Sequence, residues 1–151
     1  MHLPEPSDDA KAASTALAQR IAAEIRACDG WMSFARYMGL ALYTPGLGYY
    51  AGGSRKFGAE GDFLTAPELT PLFSQALARQ VAQIMRASGP CVIEAGAGSG
   101  KLAADMLLAL ADMDCLPERY QILELSGELQ ARQRDTILHN APALYARVEW
   151  L

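Results

Sequence analysis

The stretch that most constrains this chain begins at Val92 and ends at Leu102, and it reads VIEAGAGSGKL. Its apolar start leads to an acidic residue, then to three glycines at alternate positions, and then to a helical pattern. This order predicts a buried strand, a tight turn and the first turn of a helix. Because glycine has no side chain, such a turn lets a ligand lie directly against the backbone. The stretch therefore predicts a binding site for a nucleotide-like cofactor.

Strands and helices alternate from this stretch onwards. The next elements are an apolar helix face between Leu102 and Leu110, a strand over Tyr120–Leu125, a helix from about Gly127 to Leu138, and a third strand from Val148. Such repeats form a right-handed parallel sheet with helices on both faces. Three strands are half of a doubly wound sheet. The sequence thus predicts an α/β fold, the N-terminal part of a doubly wound Rossmann-like sheet in a chain that looks incomplete.

The preceding residues have a different character. Two amphipathic helices with serine caps at Ser7 and Ser33 lead into a glycine-rich segment from Tyr43 to Glu68 that contains aromatic residues. A loop of this length is uncommon unless it is functional or disordered, and its aromatic residues argue against disorder. We therefore expect residues 1–88 to form a cap over the site and residues 89–151 to form the first half of a cofactor-binding Rossmann-like domain. An ordered connector is the alternative for the loop.

Charge and composition exclude several classes of function. The chain has 13 basic and 17 acidic residues, a net charge of −4 and no basic cluster, which disfavours nucleic-acid binding. The three cysteines are widely spaced and lack a CxxC pair, so we expect no metal site and a reducing compartment. No apolar run approaches the ~18 residues of a membrane-spanning helix. We expect a cytoplasmic protein without membrane insertion.

Three kinds of nucleotide site compete for the glycine turn. A P-loop requires GxxxxGK[ST], but Ala95 stands where its first glycine belongs and Leu102 where its hydroxyl belongs. The dinucleotide fingerprint GxGxxG requires wider spacing than that of Gly98 and Gly100. Glu94, two residues before the first glycine, would repel a pyrophosphate and attract an ammonium or sulfonium group. This pattern favours S-adenosylmethionine, a phosphate-free cofactor that carries both cationic groups.

A second acidic residue supports the same cofactor. Glu124 falls at the end of the second predicted strand, where a carboxylate can accept hydrogen bonds from both ribose hydroxyls. The predicted cofactor-binding residues are therefore Glu94, Gly96, Gly98, Gly100 and Glu124. The alternative is that the two glutamates are merely solvated strand ends.

Longer motifs extend this prediction to a family. They read LYxPxxGYY from Leu42, FGxxGDFxTAPE from Phe57, EAGAGSG from Glu94 with Leu102 and Asp105, and ELS from Glu124 with Leu129 and Gln133. With these motifs the chain resembles the MidA family of class I S-adenosylmethionine-dependent methyltransferases, which includes the mitochondrial complex I assembly factor that methylates a protein arginine. Where that family tends to have proline this chain has Ala97, a change that leaves the backbone contacts of the turn intact.

The resemblance implies a protein methyltransferase with an arginine acceptor and a protein substrate such as a respiratory-complex or similar assembly subunit. The residues expected on the substrate side are Tyr50, Asp62, Thr65 and Glu68. Asp62 or Glu68 could hold a guanidinium group, although either could instead cap a helix or brace the loop. No catalytic residue is assigned.

Two alternatives and one expectation accompany this prediction. The alternatives are a non-catalytic assembly factor that captures a partner protein, and a nicotinamide oxidoreductase, which the glycine spacing disfavours. The family's remaining strands, including a downstream Asn-Glu segment, are absent from these 151 residues. We therefore expect this piece alone to be inactive.

Overall fold

The computed structural model describes residues 5–52 and 64–151. Contacts within the chain divide it into two units, Met1–Ser54 and Arg55–Leu151. The long helix Pro71–Ser88 packs against the helix Lys101–Asp112 inside the second unit. The helix before the first strand is thus part of the same core as the strand itself. The division into a cap of residues 1–88 and a domain of residues 89–151 stays a prediction.

The N-terminal unit contains α1 (Asp8–Ala27) and α2 (Phe34–Tyr43). Both helices begin at the predicted serine caps. Ser7 Oγ accepts a hydrogen bond from the Ala10 backbone N–H at 3.2 Å. Ser33 Oγ accepts one from the Arg36 N–H at 3.2 Å. The Arg36 guanidinium also pairs with the Glu24 carboxylate, which links the two helices.

After α2 the chain folds back onto the end of that helix. The Tyr50 backbone N–H donates to the Leu42 carbonyl at 2.8 Å. Gly48 permits this path, since a Cβ at its position would lie 2.6 Å from the Thr44 backbone nitrogen. The rings of Tyr43 and Tyr50 stack with centroids 5.7 Å apart. The LYxPxxGYY motif therefore builds a compact turn around the end of its own helix.

The C-terminal unit is an α/β structure. Its elements are α3 (Ala66–Leu69), α4 (Pro71–Ser88), β1 (Cys91–Ala95), α5 (Lys101–Asp112), β2 (Arg119–Leu123), α6 (Gly127–Asn140), a 3₁₀ helix (Pro142–Arg147) and β3 (Val148–Trp150). The three strands are parallel and lie in the order β1-β2-β3, with Glu94 opposite Ile122 and Ile122 opposite Trp150. The predicted α/β fold with a parallel sheet is confirmed. The short helices α3 and 3₁₀ were not predicted.

The core of this unit lies between the sheet and α4, α5 and α6. Leu107, Leu110 and Ile122 are completely buried. Burying such a side chain contributes about 1.5–3 kcal/mol. On the other face of the sheet, Ile93 and Leu123 are 64% and 47% exposed. All three helices therefore pack on the face to which Glu94 and Tyr120 belong, and this packing positions the residues described below. The predicted placement of helices on both faces is not seen in the described residues, because right-handed connections between strands in the order β1-β2-β3 lie on one side of the sheet.

Gly100 permits a close contact between α5 and α6. It caps α5 in the left-handed region, with φ 84°. A Cβ at its position would lie 2.9 Å from the Cα of Gln133, a backbone atom that cannot move aside independently. Both the dihedral angle and the contact therefore require glycine.

Replacing Gly100 by alanine should lower the free energy of unfolding by about 1–3 kcal/mol, because a non-glycine residue is strained in this conformation. Denaturant unfolding of the complete protein measures the change. Gly127→Ala at the start of α6 is the matched control, since nothing lies within 4 Å of its Cβ position. Equal stability of the two variants would contradict the role given to Gly100.

Candidate functional site

A cleft of about 200 Å³ lies where β1 ends and α5 begins. It is lined by Thr65, Pro67, Glu68, Glu94, Gly96, Ala97, Gly98, Ser99 and Leu102. The carboxyl end of a parallel strand is the position where open α/β sheets bind ligands. The cleft is smaller than the roughly 300–1,000 Å³ of typical small-molecule sites. It therefore has room for part of a nucleoside-sized ligand.

The glycine turn has the backbone conformation that its sequence indicated. Gly96, Gly98 and Gly100 have φ values of 66°, 55° and 84°. The Gly96 N–H donates to the Leu123 carbonyl at 2.9 Å, so the turn is tied to β2. Nothing lies within 4 Å of the Cβ position of Gly96, which leaves that backbone open to a ligand. Gly96 and Gly98 line the cleft, whereas Gly100 packs against Gln133 on α6.

Glu94 lies in the cleft, held by a buried tyrosine. The Tyr120 hydroxyl donates to Glu94 Oε2 at 2.7 Å. Burial raises the pKa of Glu94, and the hydrogen bond from Tyr120 opposes part of this effect. Burial also raises the pKa of Tyr120, so the phenol keeps the proton that it donates. A carboxylate in such a setting attracts a cation more strongly than one in water.

Glu124 is buried, with 8% of its surface exposed. Its Oε1 accepts a hydrogen bond from the Ser126 backbone N–H at 3.0 Å, and its Oε2 accepts one from Gln133 Nε2 at 3.1 Å. A carboxylate offers about four acceptor sites, so both oxygens keep further capacity. Glu124 does not line the cleft around Glu94, but Gln133 Nε2 also donates to the Gly98 carbonyl at 3.1 Å. One amide thus joins Glu124 to the glycine turn.

Two of the four predicted substrate-side residues, Thr65 and Glu68, line the same cleft as Glu94. Thr65 is the N-cap residue of α3, and Glu68 lies in the first turn of that helix. The Glu68 carboxylate accepts a hydrogen bond from Ser99 Oγ, so α3 contacts the glycine turn. The predicted alternatives for Glu68, which are to hold a guanidinium group, to cap a helix or to brace the glycine-rich loop, stay predictions.

The structure does not place the other two predicted substrate-side residues relative to this cleft. Tyr50 belongs to the N-terminal unit, in the turn after α2. Asp62 lies outside the described residues. The structure therefore brings Thr65 and Glu68 to the cleft around Glu94, and the substrate-side roles of all four residues stay predictions.

No role was predicted for Tyr120, and Gln133 was named only among the residues that carry the family resemblance. Both nevertheless leave a signal in the sequence. Gln133 falls between Leu129 and Ile137 at helical spacing, which places its amide on the buried face of α6. Tyr120 stands on a strand whose alternate residues are buried. Buried amides and phenols require hydrogen-bonding partners. Each of the two residues therefore predicts a polar partner in the core, which the sequence alone does not identify.

The residues that the structure describes give no metal cluster. Within 5–52 and 64–151, no three His, Cys, Asp or Glu side chains come together as metal ligands. Cys28, Cys91 and Cys115 are free thiols. None of the helices in these ranges combines the length and the apolar character that crossing a bilayer requires.

Comparison with known proteins identifies the family. A sequence model of the family described as "Putative S-adenosyl-L-methionine-dependent methyltransferase" matches residues 76–151, half of the chain. A protein named "Protein arginine methyltransferase NDUFAF7 homolog, mitochondrial" from Caenorhabditis elegans is 32% identical over 116 residues, which are 72% of this chain and 27% of that protein. Its Drosophila melanogaster counterpart is 34% identical over 111 residues, 71% of this chain and 25% of that protein. The chain spans about a quarter of the length of these relatives.

Solved structures agree with the sequence relatives. The crystal structure of a COG1565 superfamily member from Burkholderia thailandensis bound to S-adenosyl-homocysteine matches with a TM-score of 0.89 and 55% identity. The match covers 99% of this chain and 40% of the Burkholderia chain. The predicted family membership is thereby confirmed. The chain belongs to the family of S-adenosyl-L-methionine-dependent methyltransferases that the matching sequence model describes.

Proposed function

We propose that the complete protein transfers a methyl group from S-adenosylmethionine to a protein side chain, with arginine as the acceptor. One observation carries the proposal: the half-buried Glu94 carboxylate shares a cleft with the open glycine backbone at the end of a parallel strand. The similar Burkholderia protein holds S-adenosyl-homocysteine, which is S-adenosylmethionine without the transferred methyl group. The choice of arginine follows the names of the relatives.

The chain's own groups fit this cofactor. In the proposed complex Glu94 receives the ammonium group of the methionine portion, and Gly96 and Gly98 allow that portion to lie against their backbone. Glu124 accepts the ribose hydroxyls on acceptor sites that Ser126 and Gln133 leave unused. The contribution of Gly100 is to keep α5 and α6 close together.

When bound, S-adenosylmethionine supplies an electrophilic methyl group on a sulfonium sulfur. The chain contributes position and electrostatics, because in-line transfer depends mainly on proximity and orientation. The carboxylates of Glu94 and Glu68 both face the cleft and favour a cationic ligand. No side chain is assigned as a general base.

We also propose that the substrate side of the site includes Tyr50, Asp62, Thr65 and Glu68. A guanidinium group binds carboxylates through paired hydrogen bonds. Glu68 already accepts one from Ser99 Oγ, which favours bracing of the glycine turn as its main role. The protein substrate is proposed to be a respiratory-complex or similar assembly subunit, and the cytoplasmic location stays a prediction.

The finer fold assignment is also part of the proposal. We place β1, β2 and β3 in the first half of a doubly wound Rossmann-like sheet, supported by their parallel order. The 40% coverage of the Burkholderia chain is consistent with this placement. The inactivity of these 151 residues by themselves stays a prediction.

Glu94→Gln in the complete protein should raise the dissociation constant for S-adenosyl-homocysteine about tenfold or more. The reason is that a hydrogen bond to a charged group contributes about 1.5–3 kcal/mol. Calorimetric titration measures this change. Glu118→Gln is the matched control, because Glu118 is exposed and precedes β2 at the end opposite to the cleft. Tighter binding of NAD than of S-adenosyl-homocysteine, or no binding of either, would overturn the proposed function.

The affinity for S-adenosyl-homocysteine should also fall as the pH is lowered from neutrality to about 5. Only the ionised Glu94 attracts the ammonium group, and burial raises the pKa of this carboxyl, so its protonation begins at higher pH than for an exposed glutamate. In the Glu94→Gln protein the side chain at position 94 cannot ionise, so the affinity should no longer depend on pH in this range. Titrations at several pH values test it, and equal pH profiles of the two proteins would rule out the ionic role of Glu94.

A further inference from the structure

Gln133 joins four parts of the C-terminal unit through one buried amide. It is completely buried on α6. Its Nε2 donates to Glu124 Oε2 and to the Gly98 carbonyl, each at 3.1 Å. Its Oε1 accepts from the Trp150 indole N–H at 2.9 Å. The amide therefore connects α6 with three other parts of the unit: the glycine turn, the residue that follows β2, and strand β3.

The chemistry of these partners allows one orientation of the amide. An indole N–H only donates, so Oε1 must face Trp150. A carbonyl and a carboxylate only accept, so Nε2 must face Gly98 and Glu124. Both Nε2 hydrogens are then used. Rotation of the amide would leave the buried Glu124 carboxylate and the part-buried Gly98 carbonyl without their donor, which is unfavourable.

The Glu124 carboxylate is consequently held at both oxygens, once by the N-cap residue of α6 and once by a side chain of that helix. The Ser126 backbone N–H binds Oε1, and the Gln133 amide binds Oε2. The same Nε2 binds the carbonyl of Gly98, which follows a different strand. Gln133 thus fixes the rotation of the carboxylate and also its position relative to the glycine turn.

We propose that Gln133 is a positioning residue that holds Glu124 in the orientation that accepts the ribose hydroxyls of the cofactor. This inference rests on the proposed function. According to this inference, Gln133 does not touch the ligand itself, but it decides through Glu124 how strongly the protein prefers a ligand with a ribose hydroxyl over one without it. A residue that only packed α6 against the turn would weaken both kinds of ligand equally.

The test compares two ligands, S-adenosyl-homocysteine and its 2′-deoxyribose analogue, by calorimetric titration of the complete protein. We expect the unmodified protein to bind the ribose compound roughly tenfold more tightly, the effect of one hydrogen bond to a charged group. Gln133→Met keeps the length and volume of the side chain and removes its hydrogen bonds. In this variant the preference should fall to about threefold or less, mainly through weaker binding of the ribose compound.

Gln130→Met is the matched control. Gln130 lies one turn earlier on α6, and its Nε2 donates to the backbone carbonyl of Glu124 at 2.8 Å rather than to the carboxylate. The ribose preference should therefore survive in this variant. If Gln133→Met does not fold, Gln133→Asn serves as the second test variant. It keeps a buried amide but is one methylene too short to reach both acceptors, so it should also lose the preference.

The outcomes separate this inference from the proposed function. No binding of either compound by the unmodified protein would overturn the proposed function and the inference with it. Binding of both compounds with equal affinity would overturn the inference alone. An unchanged ribose preference in the folded Gln133 variants, or the same loss of preference in Gln130→Met, would also overturn it.

Discussion

The parallel pairing of β1 with β2 is the constraint on which the site depends. Ala95 lies opposite Leu123, so the two strands end at the same edge of the sheet. The hydrogen bond from Gly96 N–H to the Leu123 carbonyl extends the pairing by one step into the turn. Because of this register, the acidic residue after β2 and the glycine turn after β1 become neighbours, although they are far apart in the sequence.

The carboxylates of Glu94 and Glu124, which are proposed to bind the cofactor, are partly or fully withdrawn from water, and each has a partner from another element. Glu94 receives the Tyr120 phenol from β2, and Glu124 receives the Gln133 amide from α6. Burial of an unpaired charge is strongly unfavourable, so these partners are conditions for the site to exist in the folded protein. The helix packing that forms the core therefore also sets the orientation of the groups proposed to bind the cofactor.

Some features of the site followed from local sequence alone. The glycine turn was predicted from its spacing, and all three glycines have the positive φ that this residue tolerates best. The positions of Glu94 and Glu124 at strand ends were predicted from the apolar runs before them. The packing of α4 against α5 did not follow from local sequence, because an amphipathic helix has the same pattern whichever element covers its apolar face.

The sequence by itself determined the alternation of strands and helices, the glycine turn with its preceding glutamate, and the class of cofactor, because these depend on residues close together in the chain. Only the tertiary structure decided that Tyr120 holds Glu94, that Gln133 joins Gly98 to Glu124, and that Glu68 braces the turn. These contacts join residues up to 35 positions apart. They arise from strand register and helix docking, and local periodicity does not specify either.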